Sequence, residues 1–184
     1  MRILFIIICL ANIAFAFGSL PWMPNSMAVH FAADGVPDGW GLPLVNALLM
    51  SLVVGIMAVS ILGTSWLITI APSYSFNMPN RDYWMSEERR PETIRRIRSF
   101  CEWLGVWTML FFLLIQWQIF QANQTVPPKP ISIGLYVGIL LFVIIFETVR
   151  SFLSFRLPKE KRQLDESAIL TTMVPNEKTK GDNQ

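Results

Sequence analysis

Hydrophobic residues along the chain fall into four long runs that are separated by polar segments. The runs cover residues 3–20, 42–70, 103–122 and 131–155. Each run reaches the length of about 18 residues at which an apolar helix can cross the hydrocarbon core of a bilayer. The pattern therefore predicts an all-α membrane protein with four transmembrane helices, whose first partner is the lipid bilayer, and it excludes a soluble enzyme.

The basic residues are distributed asymmetrically around these runs. The chain has 15 Lys and Arg residues, and all but Lys129 lie before the first run, between the second and third, or from the last turns of the fourth onward. Segments rich in Lys and Arg stay on the cytoplasmic side of a membrane. We therefore expect a multi-pass protein of the cell membrane (inner or plasma membrane), with both termini and residues 71–102 in the cytoplasm. Because this charge follows the membrane edge, it predicts no nucleic-acid partner.

The first run has a second interpretation, as a cleaved signal peptide. Arg2 provides a short charged region before the apolar stretch, and residues 14–16 form the Ala-x-Ala pattern of a cleavage site. Cleavage at this site would leave a protein with three spans. The bulky Phe17 directly after the site favours the four-span interpretation.

The segment between the first two runs, residues 20–43, contains four prolines and three glycines, which exclude a regular helix through most of it. We expect a structured outer loop that holds His30, the only histidine of the chain, with Asp34 and Asp38. Two interpretations are open. Either the three side chains face a ligand or an ion, or the aspartates shape turns while His30 bonds a backbone carbonyl. One histidine with two turn-forming aspartates predicts neither a metal site nor a cofactor.

This outer loop also carries a sequence motif. Its residues are His30, Phe31, Asp34, Gly35, Pro37, Asp38, Gly39, Trp40 and Gly41. Placed between a first and a second span, the motif resembles the domain of unknown function 1648, found in bacterial membrane proteins and at the N-terminus of SdpI-type immunity proteins. Those proteins protect a bacterium against its own secreted killing peptide and signal to a repressor. This chain has Ala32 where family members commonly have Asn, and it holds fewer spans than the longer SdpI proteins. The resemblance implies a multi-span bacterial membrane protein without an assigned activity.

A second motif follows the second run. Its residues are Asn77, Pro79, Asn80, Tyr83, Trp84, Arg89 and Arg90. It is similar to the loop that follows this domain in many relatives. We expect Tyr83 and Trp84 to anchor the chain at the membrane interface. From Pro91 an amphipathic helix is expected to continue into the third run, where it either holds the chain at the lipid headgroups or docks a cytoplasmic regulator.

Polar residues within membrane spans are functional candidates, because burying them in hydrocarbon is costly. The candidates here are Glu102, Glu147 and Arg150. Arg150 follows Glu147 by three residues, so the two side chains can pair on one helix face. A path for ions or protons would need titratable groups across the whole bilayer, whereas the deep polar positions, Asn12 and Gln116, do not titrate.

Small residues recur in two of the runs. Gly134 and Gly138 form a G-x-x-x-G pattern in the fourth run, and Ser51 and Gly55 give the second run a similar face. Such residues let helix backbones approach one another closely. We expect these faces to pack the spans of one bundle together.

The chain divides into four parts on this basis. Residues 1–70 form the family domain, 71–102 a cytoplasmic basic loop with the amphipathic helix, 103–155 a transmembrane helix pair, and 156–184 a charged, mostly disordered cytoplasmic tail. Since no nucleophile–base or metal-ligand spacing is present, we expect no enzyme. The sequence favours a binding or immunity and signalling protein whose outer loop binds a peptide or another membrane protein. The alternative is a small membrane transporter or a membrane-embedded enzyme subunit.

Overall fold

The computed structural model of the chain describes residues 1–159 together with 161, 163, 164, 167 and 169. The elements in this part of the chain are, in order, α1 (Arg2–Gly18), a 3₁₀ helix (Leu20–Trp22), β1 (Met27–Phe31), β2 (Pro37–Gly41), α2 (Pro43–Ile70), a second 3₁₀ helix (Ser73–Ser75), α3 (Arg81–Trp84), α4 (Arg90–Ala122) and α5 (Ile133–Ser154). The tail predicted for residues 156–184 lies largely outside the described residues.

Four of these helices are long and apolar enough to cross a membrane. They are Arg2–Trp22, Pro43–Ile70, Arg90–Ala122 and Ile133–Ser154, judged by length and composition. The prediction of four apolar helices long enough to span a membrane is thereby confirmed. The description as all-α needs a correction, because the segment between the first two spans forms an antiparallel hairpin of β1 and β2. Its prolines and glycines disfavour a helix, so its backbone groups pair across two strands instead.

Three of the spans form a bundle in which α1, α2 and α4 contact one another, while α5 packs mainly on α4. The buried residues of this bundle are Phe5, Ile8 and Cys9 from α1, Val54 from α2, and Val106 and Met109 from α4. Cleavage of a signal peptide would remove Phe5 and its neighbours from this core.

One glycine accounts for the closest helix approach in the bundle. A Cβ atom on Gly105 of α4 would lie 2.9 Å from Phe5 Cε2 and 3.1 Å from Ile61 Cγ2. The expectation that the small-residue faces pack the bundle is wrong for Gly134 and Gly138, whereas on α2 the hydroxyl of Ser51 is buried. Within the described chain, a Cβ on Gly55, Gly134 or Gly138 would meet nothing within 4 Å apart from its own helix. Gly134 and Gly138 are exposed, and Gly55 is half-buried.

Helix α5 has no buried residue among those that the structure describes, and its large apolar side chains are exposed. In water such a surface would be unstable, but a membrane helix is solvated by hydrocarbon and gains nothing from hiding apolar side chains. The outward-facing apolar residues of α2 and α5 are thus consistent with contact with lipid.

A pair of buried amides joins α1 to α4 deep inside the bundle. Asn12 Nδ2 donates hydrogen bonds to the carbonyl oxygens of Ile8, at 2.9 Å, and Met109, at 3.0 Å. Gln116 Nε2 in turn donates to Asn12 Oδ1 at 2.8 Å. Asn12 is completely buried and Gln116 nearly so. These bonds partner polar groups that would otherwise face hydrocarbon without water.

Basic residues gather at the end of the bundle that lies opposite the hairpin. We call this end, which consists of Arg2, residues 71–102 and Phe155, the arginine end. Glu102 of α4 is the polar junction here. Its Oε1 accepts a hydrogen bond from Ser65 Oγ of α2 at 3.3 Å and lies 3.6 Å from Arg2 Nε. Glu102 and Ser65 are both buried, so this carboxylate connects all three helices of the bundle.

The Asn12–Gln116 bond predicts energetic coupling between the two side chains. In a double-mutant cycle, Asn12→Ala and Gln116→Ala should couple by about 0.6 to 1.7 kcal/mol in the free energy of unfolding, the range found for hydrogen bonds between membrane helices. The measurement is reversible unfolding in detergent micelles. Leu10→Ala, which changes an exposed position of α1, is the control and should not couple to Gln116. Strict additivity for Asn12 and Gln116 would contradict the prediction.

Candidate functional site

The hairpin between the first two spans has one buried and one exposed side. Its register pairs Met27 with Gly41, Ala28 with Trp40, His30 with Gly39, and Phe31 with Pro37, with irregularities on both sides of His30. Met27, Ala28 and Phe31 are buried against three residues at the end of α4 and beyond it, namely Ile119, Ala122 and Ile131. The hairpin is therefore a docked element. We call this end of the molecule, made of the hairpin and residues 123–131, the hairpin end.

Asn123, the residue that caps α4, fastens the hairpin. Its Oδ1 accepts a hydrogen bond from the backbone N–H of Ala28 at 2.7 Å, and its Nδ2 donates to the carbonyl of Ala28 at 3.0 Å. Nδ2 also donates to the carbonyl of Ile119 at 2.8 Å. The side-chain amide thus satisfies both backbone groups of Ala28, as a neighbouring strand would. Sequence reasoning missed Asn123, since its only signal is a polar residue directly after an apolar run.

The turn of the hairpin contacts the segment after α4. Gly35 has a φ of +83°, and a Cβ there would lie 2.0 Å from the carbonyl oxygen of Ile131. The backbone N–H of Ile131 donates to the carbonyl of Gly35 at 3.0 Å. Asp34 Oδ1 accepts from the backbone N–H of Val36 at 3.0 Å, so Asp34 shapes this turn. Glycine is required at position 35 both by the left-handed backbone and by the close approach.

His30 and Asp38 form a polar pair on the exposed side. His30 Nδ1 lies 2.5 Å from Asp38 Oδ1, and the two side chains are 73% and 46% exposed. A Cβ on Gly39 would lie 2.9 Å from His30 Cβ, so this glycine gives the histidine its place beside β2. The structure corrects the expectation that His30 bonds a backbone carbonyl, because its partner is Asp38. Asp34 is engaged in the turn and does not join the pair.

The hairpin end also exposes large apolar side chains. They include Val126, which is 97% exposed, and Trp22, Val36, Trp40 and Leu42 in or beside the hairpin, each between 46% and 65% exposed. A cavity of about 20 Å³ beneath the hairpin admits nothing larger than a water molecule. In the part of the chain that the structure describes, no group of three or more His, Cys, Asp or Glu side chains is arranged to hold a metal ion. What this end presents is a surface of aromatic and polar groups, the composition enriched in protein-binding sites.

The second sequence motif lies at the arginine end and ties α5 to the bundle. Asn77 and Pro79 precede Asn80, whose backbone is left-handed at φ 54°. Asn80 Nδ2 and Trp84 Nε1 both donate to the carbonyl of Phe155, at 3.1 and 2.8 Å. Trp84 is buried, with its ring edge-on to Phe155. The indole of Trp84 thus caps the end of α5 within the protein.

The two arginines of this motif, Arg89 and Arg90, also contact other residues of the protein. The guanidinium of Arg89 lies 4.4 Å from the centre of the Tyr83 ring. Arg90 Nη2 donates to the carbonyl of Ala71 at 2.9 Å, which satisfies a backbone group at the end of α2. This motif therefore consists largely of contacts that hold α2, α4 and α5 together at the arginine end.

Of the polar candidates within the spans, Glu147 and Arg150 form a pair that lies apart from Glu102. Glu147 Oε2 accepts hydrogen bonds from Arg150 Nε and Nη2, at 2.9 and 2.5 Å, as their spacing predicts. This pair lies on α5, outside the three-helix bundle. Between Glu102 and Asn12 the bundle is filled by apolar side chains, above all Phe5 and Met109, which are completely buried. Within the described chain, an apolar layer thus separates the contacts of Glu102 from the Asn12–Gln116 pair.

The bonds of Asn123 predict that this side chain controls the opening of the hairpin. Asn123→Ala removes two hydrogen bonds to Ala28, each worth about 1 kcal/mol, so exchange of backbone amides in β1 should rise roughly tenfold or more. Hydrogen–deuterium exchange with mass spectrometry on the protein in nanodiscs measures this. Gln124→Ala is the matched control, because Gln124 makes only long hydrogen bonds of 3.3 and 3.4 Å. Equal exchange in the two variants would show that Asn123 does not hold the hairpin.

Comparison with known families agrees with the resemblance of the outer-loop motif. Residues 6–55 match the family model described as a domain of unknown function (DUF1648). The match covers most of α1, the hairpin and the first part of α2. No curated protein and no solved structure matches the chain. Residues 6–55 are therefore similar to the DUF1648 domain, within a chain that has four helices long and apolar enough to span a membrane.

Proposed function

We propose that this chain is a non-enzymatic, multi-pass membrane protein that binds a peptide or another membrane protein at its hairpin end. The observation that supports this most is the fixed position of the hairpin. Asn123 and the Gly35–Ile131 contact hold it against α4 while the His30–Asp38 pair and Trp40 remain exposed. A surface that is already ordered loses less conformational entropy on binding than a free loop would.

The proposed orientation places the hairpin end outside the cell and the arginine end in the cytoplasm. All basic residues of the chain's helices and of the 71–89 segment lie toward the arginine end, and Lys129 belongs to the hairpin end. This asymmetry follows the rule that Lys and Arg remain on the cytoplasmic side. In this orientation Trp22 and Trp40 lie at the outer interface, a position that suits tryptophan.

The hairpin offers an extended peptide a place to bind. One edge of the sheet is β1, where the Asn123 side chain already occupies the backbone groups of Ala28. The other edge is β2, which pairs only with β1 among the described strands. An extended peptide can add to such an edge through backbone hydrogen bonds, with side chains providing specificity. Asp38 and Trp40 belong to β2, and His30 of β1 lies against Asp38, so these side chains would contact the added segment.

The alternative of a transporter or a membrane-embedded enzyme finds less support. Transport of ions or protons needs polar groups across the bundle, whereas Phe5, Val106 and Met109 fill the space between Glu102 and Asn12. Catalysis with His30 would profit from a pocket that excludes water, whereas the side chain is mostly exposed. Both observations favour recognition of a partner over chemistry.

The proposal predicts that single changes on the hairpin surface abolish binding without disturbing insertion. Trp40→Ala and His30→Ala should each reduce the bound partner at least tenfold, the loss of roughly 1.4 kcal/mol or more expected at central interface residues. Val126→Ala is the control, because Val126 is 97% exposed at the same end but lies outside the hairpin. The measurement is native mass spectrometry of protein extracted gently from its own membrane.

Each outcome of this measurement has a distinct meaning. A stoichiometric peptide or protein on the wild type and on Val126→Ala, lost in both hairpin variants, supports the proposal. A chain that carries only a metal ion or a small solute would favour the transporter or enzyme alternative. The same mass reports processing, and loss of the residues before Phe17 would show that the first run is a signal peptide.

A further inference from the structure

A second surface, at the arginine end, has the features of a binding site. A groove of about 470 Å³ lies between the start of α4 and the end of α5. Its polar side chains are Arg95, Arg96 and Ser99 from α4, and Arg150, Ser151 and Ser154 from α5. We call it the basic groove. Neither the DUF1648 match, which ends at residue 55, nor the hairpin proposal involves these residues.

The charges of the basic groove leave it with an excess of one positive charge. Glu92 Oε1 accepts from Arg96 Nε and Nη2, at 3.0 and 2.5 Å, and Glu147 holds Arg150 in the same way. Both guanidinium groups are fixed in position, and these bonds do not use their Nη1 atoms. Arg95 has no hydrogen bond or ion pair with the described residues. Three guanidinium groups beside two carboxylates match a ligand with a single negative charge.

An apolar crevice continues the basic groove toward the middle of the membrane. It has a volume of about 260 Å³ between the same two helices, and its lining includes Trp107 and Leu110 of α4 with Leu140 and Val143 of α5. Trp103 lines the basic groove and Trp107 the crevice, and the two rings stack with their centres 6.2 Å apart, so this ring pair borders both spaces. From Ser99 to Leu110, α4 rises about 16 Å, roughly half of the hydrocarbon thickness of about 30 Å.

We propose that the basic groove and the crevice together bind one anionic phospholipid. Its phosphate contacts Arg95 and Arg150, and one acyl chain lies along the crevice between α4 and α5. Guanidinium groups and hydroxyls are suited to phosphate oxygens, and basic pockets between membrane helices are known to accept anionic headgroups. A zwitterionic lipid would bring an ammonium group next to the arginines and bind less well. The hairpin end takes no part, so this proposal is independent of the proposed function.

The test compares lipids that differ only in headgroup charge. Delipidated full-length protein in a non-ionic detergent is titrated with dioctanoyl phosphatidylglycerol or dioctanoyl phosphatidylcholine, and bound lipid is counted by native mass spectrometry. We expect one equivalent of the anionic lipid and binding of the zwitterionic lipid that is at least fivefold weaker. Arg95→Gln should weaken binding of the anionic lipid about fivefold, the effect of one basic residue near anionic lipid.

Two matched controls separate the site from general charge and apolarity. Arg81→Gln changes an arginine of the same end that is paired with Asp82 and does not line the groove, and it should bind like the wild type. Leu140→Trp fills the crevice and should weaken binding of either lipid, whereas Leu141→Trp, at an exposed neighbouring position that does not line the crevice, should not. Because Arg95 has no described partner, Arg95→Gln should keep the wild-type thermal midpoint.

Three results would overturn the proposal. The first is equal binding of the two lipids by the wild type. The second is wild-type affinity for the anionic lipid in both single variants, Arg95→Gln and Leu140→Trp. The third is displacement of the anionic lipid by inorganic phosphate at equal concentration, which would assign the groove to free phosphate because the acyl chain would then contribute nothing.

Discussion

A buried polar group in hydrocarbon must find its partner within the protein, and this constraint organises the chain around α4. Glu102, Gln116 and Asn123 are spaced by fourteen and seven residues, so they lie along nearly the same face of α4 and its cap. Each is bonded to a different element. Glu102 bonds Ser65 of α2, Gln116 bonds Asn12 of α1, and Asn123 bonds Ala28 of β1. Apolar packing alone gives membrane helices little reason to choose one neighbour over another, because lipid tails are equally apolar. The three polar contacts supply that choice.

The two ends of α4 consequently serve different surfaces. At one end Asn123 fixes a hairpin that exposes polar and aromatic side chains, and at the other Arg95 and Arg96 line a basic groove shared with α5. Helix α5 is attached more loosely than the others. Within the described chain it packs along α4 and is capped through the carbonyl of Phe155, and it buries no residue of its own. A loosely packed outer helix leaves room between itself and α4, and this space forms the basic groove and the crevice.

The small residues of the spans show that a sequence pattern alone does not predict where two helices pack closely. The G-x-x-x-G sequence of Gly134 and Gly138 predicts close helix packing, yet the described chain brings nothing near these positions. Gly105, which stands in no such pattern, is where Phe5 and Ile61 approach most closely. The pattern indicates that a close approach is sterically possible, but which helix makes it depends on the partners of the polar residues nearby. Gly35 differs, because its positive φ and the Asp-Gly turn signal that precedes it are local.

The features that depend on local order follow from the sequence alone. Four apolar runs specify four spans, prolines and glycines exclude a helix from residues 20–43, and the spacing of Glu147 and Arg150 places them in contact on one helix face. Which distant residues meet becomes visible only in the folded chain. Asn123 bonds Ala28 across 95 positions, and Trp84 bonds Phe155 across 71. The reason is physical: helical periodicity fixes neighbours three or four residues apart, whereas contacts between spans depend on the rotation of each helix about its axis. In hydrocarbon that rotation is set by a few polar side chains whose partners are visible only after the helices have packed.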